Sequence, residues 1–232
     1  GPADQLRALD IPVLHDTPGV GQNLRDHPAV NMTWPLQPAY VIDEQTHWHQ
    51  VGLRHTASGS PWPNDMIYYL CALPTDRTLL VRPTVNLAVG AGELRLVSRD
   101  LRVQPQINFR YLAEAYDRQR LREGVRLALD LVEGGAFAGI IQARSQPQPA
   151  ALASDATLDQ WLLTAACTAH HSSGTCKMGP STDPLAVVDQ TGKVYGVAGL
   201  RVVDASIMPD CVRANTNATV MMMGERVAAL FK

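Results

Sequence analysis

Two polar clusters carry the residue types that could do chemistry: His170, His171, Ser172, Ser173, Gly174, Thr175, Met178 and Gly179 in the first, and Asn215, Thr216, Asn217, Ala218 and Thr219 in the second. A histidine titrates near pH 6.5 and can take a proton at neutral pH. An asparagine amide offers a hydrogen bond that does not depend on pH. From the residues alone, three readings of the first cluster stay open. His170 and His171 could ligate a metal, although no Asp, Glu or further spaced His completes a ligand set nearby. Ser172 or Ser173 could be a nucleophile, although the G-x-S-x-G elbow is absent. Finally, these side chains could simply cap helices and satisfy buried backbone groups.

Each cluster needs elements that hold it. Leu121, Val125, Ala128, Leu129 and Val132 recur on one helical face, so 113–133 is predicted helical, with Glu114, Asp117, Arg118, Arg120 and Arg122 at polar positions and Gly134 and Gly135 as the stop. Thr157 to Gln160 has capping-box spacing and opens a second helix running to about 166. A short helix follows Pro2, and 11–14 reads as extended. The segments 65–73, 84–90 and 93–98 read as strands, the last two adjacent and antiparallel. Residues 31–63 mix Trp, His, Pro and Gly without periodicity, as a long loop or lid does. Residues 200–204 read as a buried strand before a turn, and 219–231 as a helix with Val220, Gly224, Val227, Ala228 and Phe231 on one side. The Gln-, Pro- and Ala-rich stretch 142–153 reads as a surface connection.

Composition narrows the partners. The chain has 232 residues, 46% of them hydrophobic, which is enough for a sizeable core, and a formal charge of -2 without blocks of like charge. That leaves no footprint for nucleic acid or an anionic membrane surface and suits a neutral or small polar substrate. No apolar run has the length of a membrane span, and the default location is cytoplasmic. The four cysteines are scattered and spell neither a zinc ribbon nor a redox pair.

Taken in order, the clusters resemble a known family. His171-x-x-Gly174-Thr175-x-x-Met178-Gly179, then Val202, Val203, Asp204, Ala205, Ser206, Ile207, Met208 and Pro209, then Asn217-Ala218-Thr219 and a helix at Gly224-Glu225, resemble the glucose-methanol-choline (GMC) oxidoreductases. So does the run from Gly19-Val20-Gly21 through Asn23, Leu24, Asp26 and His27 to Pro28. The resemblance covers essentially the whole chain, weakly between about 32 and 90. It implies a flavoprotein that oxidises a primary alcohol to an aldehyde by hydride transfer to FAD. His171 falls on the position that accepts the hydroxyl proton, and Asn217 on the position that hydrogen-bonds the same oxygen. His170, Asp204, Ala205, Ala218 and Thr219 fall on positions beside the cofactor, and no metal is implied. His27 is expected to order a loop near the cofactor, and Trp34, Trp48 and Trp62 either wall a substrate pocket or pack in a core.

The family's G-x-G-x-x-G turn, which holds the FAD pyrophosphate at a helix end, has no counterpart here, because Leu24 stands where a third glycine would fall. The resemblance therefore implies an α+β chain: an antiparallel or mixed-sheet substrate-binding domain with flanking helices at 31–165, and returning segments of an FAD-binding α/β domain at 1–30 and 166–232, without the Rossmann half. The implied partners are a small alcohol and a separate N-terminal chain or segment carrying the FAD-binding motif. The alternative is a catalytically inactive fragment or fold unit.

Overall fold

Val-, Leu- and Tyr-rich runs bounded by turn residues, and two amphipathic stretches of helical period, set the element order of this chain. The computed structural model describes residues 1–43, 45 and 47–231, with the side chains of Gln50 and Phe231 outside that description. In chain order the elements are α1 (Ala3–Ala8), β1 (Pro28–Ala29), β2 (Met32–Pro35), β3 (His49–His55), β4 (Met66–Leu73), β5 (Thr78–Val85), β6 (Glu93–Arg95), β7 (Gln106–Asn108), α2 (Ala115–Glu133), α3 (Asp155–Ala165), β8 (Cys167–Thr168) and α4 (Asn217–Ala228). They form two compact units. One comprises Gly1–His27, Gly90–Tyr111 and His170–Lys232, the other Pro28–Val89 and Leu112–Ala169.

The unit holding β1 to β5 is a mixed α+β assembly on an antiparallel sheet of order β3-β4-β5-β1-β8, with β2 also paired to β5. The hairpin of β4 and β5 runs in unbroken register from Met66 opposite Val85 to Leu73 opposite Thr78. Helix α2 buries Leu121, Gly124, Val125, Ala128 and Val132. Gly124 is where it comes nearest the sheet: a Cβ there would lie 3.0 Å from Met66 Cε and 3.2 Å from Pro83 Cβ. Trp34 is fully buried, and its Nε1 donates to Glu133 Oε1 at 3.0 Å.

One buried cation organises this unit. Arg120 donates to Asp65 Oδ2 at 2.9 Å, to Asp117 Oδ1 at 2.5 Å and to the Leu87 carbonyl at 2.7 Å, and all three side chains are at most 1% exposed. Tyr116 covers the guanidinium at 4.4 Å. Burial alone would raise the Asp65 pKa, but the Ala57 N–H, Ser60 and Arg120 together hold it below the ordinary carboxylate value.

The other unit is built around short extended segments. Leu24 and Gly92 exchange backbone hydrogen bonds at 2.9 and 2.8 Å, and Arg25 and Ser173 exchange theirs at 2.9 Å each. Beyond Ser173, the N–H groups of Gly174, Cys176 and Met178 donate to the carbonyls of Ala205, Ser206 and Ile207. Val187, Val188 and Ile207 form the adjoining core, with Val20, Met178, Val202 and Met223 packed against it.

Several expectations are corrected. Residues 31–63 contain β2 and β3, because Met32 and Trp34 alternate inward on the edge of β5 although the composition hides the period. The strand placed at 84–90 is β5, which begins at Thr78, and it pairs with β4, β1 and β2; the β6 edge pairs β7 instead. The extended segment at 11–14 forms no strand. The capping box of α3 is Ser154 with Thr157, three residues earlier than read, and the helix starts at Asp155. Asp117 and Arg120, expected on a polar face, are buried as an ion pair. Residues 200–204 form no strand, and Leu200 is 48% exposed. Helix α4 begins at Asn217, two residues early, and of its expected apolar side only Val227 is buried; the Phe231 side chain lies outside the described residues. Residues 90–111, expected within 31–165, cluster with the termini. No helix among the described residues is long and apolar enough to cross a membrane.

Removing Asp65 leaves the Arg120 charge half compensated. Asp65→Ala is expected to cost about 3 to 5 kcal/mol, read as a lowered urea midpoint, and Asp65→Asn less. Because the folded pKa of Asp65 is depressed, its contribution is complete above the unfolded carboxylate value and is lost as pH falls through the folded one. An acid titration of the midpoint should therefore be shallower in Asp65→Asn than in the wild type.

Candidate active site

His171 is 9% exposed, and its backbone N–H donates to Asp26 Oδ1 at 3.0 Å. The same oxygen takes the His27 N–H at 2.7 Å, and the Tyr111 hydroxyl donates to Asp26 Oδ2. Asp26 thus ties together three stretches of chain that are far apart in sequence. The two histidine rings meet edge to face, centroids 4.8 Å apart, with Nδ1 3.0 Å from Nδ1. His27 Nε2 lies 2.9 Å from the Val212 carbonyl oxygen. The Cys211 thiol, pushed up to about 11 by burial, donates to the His171 carbonyl at 3.5 Å.

Backbone geometry explains the glycine in the first cluster. Gly174 sits at φ +86, where a side chain is strained, and a Cβ would lie 2.4 Å from the Asn23 carbonyl oxygen. The Asn23 side chain donates to the carbonyls of Gly174 at 3.3 Å and Pro209 at 3.0 Å. Three of the sequence motifs therefore close on one another: the Asn23 turn, the Gly174 strand and the Pro209 segment.

The site residues named from sequence are placed as follows. His171 is buried, while His170 is exposed at φ 67, so the adjacent pair does not act as one group. Asp204 is exposed and caps a short 3-10 turn through Ser206 N, and the half-buried Ala205 accepts from Gly174 N at 3.2 Å. Both line a cavity of about 310 Å³ with Ser172, Ser173, Thr175, Phe109 and Leu24. Asn217 and Ala218 are exposed and Thr219 is half-buried at the start of α4, where no side chain caps the helix. Asn217 makes no hydrogen bond to His171. Among the described residues no group of three or more His, Cys, Asp or Glu is arranged to hold a metal ion.

Sequence reasoning missed Tyr111 and the partnership of His27 with His171. The Asp26-His27-Pro28 match marked His27, but nothing in the sequence says what a residue 144 positions away will touch. Trp34 proves to be core, and Trp48 and Trp62 are 64% and 52% exposed.

With that geometry in hand, residues 88–224 match the GMC oxidoreductase family. The chain belongs to this family. This GMC oxidoreductase chain is 36% identical to an oxygen-dependent choline dehydrogenase of Paraburkholderia phymatum, over 98% of the chain and 45% of that relative. It is 37% identical to a 5-(hydroxymethyl)furfural oxidase of a Methylovorus species, over 98% of the chain and 46% of that relative. It therefore spans about half the length of the curated relatives it matches. Its fold matches that of pyridoxine 4-oxidase from Mesorbium loti with a TM-score of 0.87 at 24% identity, over 100% of the chain and 47% of that structure.

The Asp26 arrangement is open to a direct test. Asp26→Ala strips acceptors from two buried N–H groups and a phenol and is expected to cost about 3 kcal/mol or more at roughly 1 to 3 per orphaned donor. Asp26→Asn keeps a carbonyl oxygen for the two N–H groups and should retain most of the stability. Thermal unfolding of both variants beside the wild type gives the comparison.

Proposed function

We propose that this chain is the C-terminal part of a flavoprotein that oxidises a primary alcohol to an aldehyde by hydride transfer to FAD, with His171 as the proton acceptor. The observation that carries the reading is the buried His171, backbone locked by Asp26 and ring held by His27, in a chain of the GMC family. Choline and 5-(hydroxymethyl)furfural, named in two relatives, are both primary alcohols.

The residues present fit part of a flavin. Asp204 and Ala205 line a cavity beside the strand that follows His171, and α4 opens with Asn217 and Ala218 exposed and no side-chain cap. An uncapped helix start presents N–H groups and a positive dipole end to a polar or anionic group. Asp204, Ala205, Ala218, Thr219 and His170 are the residues assigned to hold the cofactor. Bound FAD supplies the acceptor for the carbinol hydrogen. The rest falls to the chain: His171 accepts the hydroxyl proton, and the Asn217 amide donates to the same substrate oxygen. In this reading the unit with His171 carries the flavin-facing residues, and the unit with β1 to β5 is the substrate-binding domain.

The activity is assigned to the longer protein. A second reading, in which this chain by itself is a catalytically inactive fold unit, is favoured by its span of about half its relatives. FAD titration of the isolated chain separates the two. In the flavin-loaded protein, His171→Ala is expected to keep the flavin spectrum and slow alcohol-dependent bleaching by about 10² to 10⁴. Bleaching at the wild-type rate would overturn the role of His171.

A further inference from the structure

The contacts of His27 fix which nitrogen of His171 carries a proton. The Val212 carbonyl oxygen can only accept, so His27 Nε2, 2.9 Å away, is the nitrogen that bears hydrogen. A neutral imidazole holds one ring proton, so His27 Nδ1 presents a lone pair. The group 3.0 Å from that lone pair is His171 Nδ1, which must then be the donor. Neutral His171 is left with its own lone pair on Nε2.

We infer that His27 is a positioning residue that holds His171 in the Nδ1–H tautomer, so that Nε2 is the nitrogen that accepts the substrate proton. The inference rests on the proposed role of His171 and adds the atom and the residue that selects it. In the step concerned, the substrate O–H bond breaks, a new N–H bond forms at His171 Nε2, and the O–H electron pair stays on the oxygen. The imidazolium so formed still donates from Nδ1 to His27, now as a charge-assisted bond, so the same contact stabilises the product of proton uptake.

The surroundings leave His27 little freedom to do otherwise. Its side chain is fully buried, its backbone N–H is committed to Asp26 Oδ1, and that oxygen also takes the His171 N–H. The two backbones are thereby clamped to one carboxylate, which sets the spacing at which the rings meet. A doubly protonated His27 would point an N–H at His171 Nδ1 and force the His171 proton onto Nε2, removing the acceptor.

The decisive measurement is the ¹⁵N spectrum of the histidine ring nitrogens in the flavin-loaded enzyme, with signals assigned through His27 and His171 variants. The expected result is His171 with Nδ1 protonated and Nε2 unprotonated; the reverse overturns the inference. His27→Ala removes the acceptor and is expected to give a mixture of His171 tautomers and a kcat lowered about tenfold to a hundredfold, no more than the lower limit of what a positioned base contributes because the base itself is kept, with KM little changed. His27→Asn places a carbonyl oxygen where Nδ1 stood and should restore both the tautomer and most of the rate, while still losing the Val212 contact. If the Ala and Asn variants fall equally, or if neither shifts the His171 tautomer, His27 is structural only. The proposed function fails separately: an unaffected His171→Ala sinks it, whereas the wild-type spectrum reads the tautomer whatever that variant does.

Discussion

A carboxylate taken out of water must collect hydrogen-bond donors or lose its charge, and Asp26, 5% exposed, collects three. Two are backbone N–H groups of histidines far apart in the chain, and the third is the Tyr111 phenol. Asp26 thereby joins the residues before 27, the stretch ending at 111 and the stretch from 170 onward at a single point, and the neighbouring Arg25 joins the same stretches through the Gly90 carbonyl, Ser173 and Asp210. The exchange of backbone hydrogen bonds between Arg25 and Ser173, the ring contact of His27 with His171 and the close pass of Gly174 against Asn23 all follow once that point is fixed.

The sheet unit uses the opposite charge to the same end. Arg120 gathers Asp65, Asp117 and the Leu87 carbonyl, joining α2 to the segments that flank β4 and β5. Such pairs gain little over a well-packed apolar core. They do, however, favour one arrangement, since a shift of α2 along the sheet by a turn would carry Arg120 away from Asp65 and the Leu87 carbonyl.

Where local rules govern, the sequence was a good guide. The 3.6-residue period of α2, the glycine stop at 134 and the apolar run of β4 could all be read directly, and the ordered motifs identified the family. The misreadings share a cause. Residues 31–63 hide two strands because Trp, His and Pro are poor indicators of period, and it is pairing with β5 and with β4 that makes β2 and β3 strands. Asp117 and Arg120 read as surface charges because a buried pair and an exposed one look alike until the partner, Asp65, is placed. The candidate site divides in the same way: the motif from His171 to Gly174 is local and can be read as one, whereas the contact of His27 with His171 spans 144 residues and leaves no local sign. Tyr111 gave no sign at all.

The unit that carries the histidine pair is stitched from three separated stretches of chain, with the whole of the sheet unit's sequence threaded between them. Closing loops of that length carries an entropic cost that must be met before the contacts that reward it exist. A chain that has folded α2, α3 and the sheet has therefore not yet formed the histidine pair: until the stretch after 170 comes home to Asp26, His27 has no ring to meet. The histidine pair is the last thing this topology completes, and partly folded forms lack it.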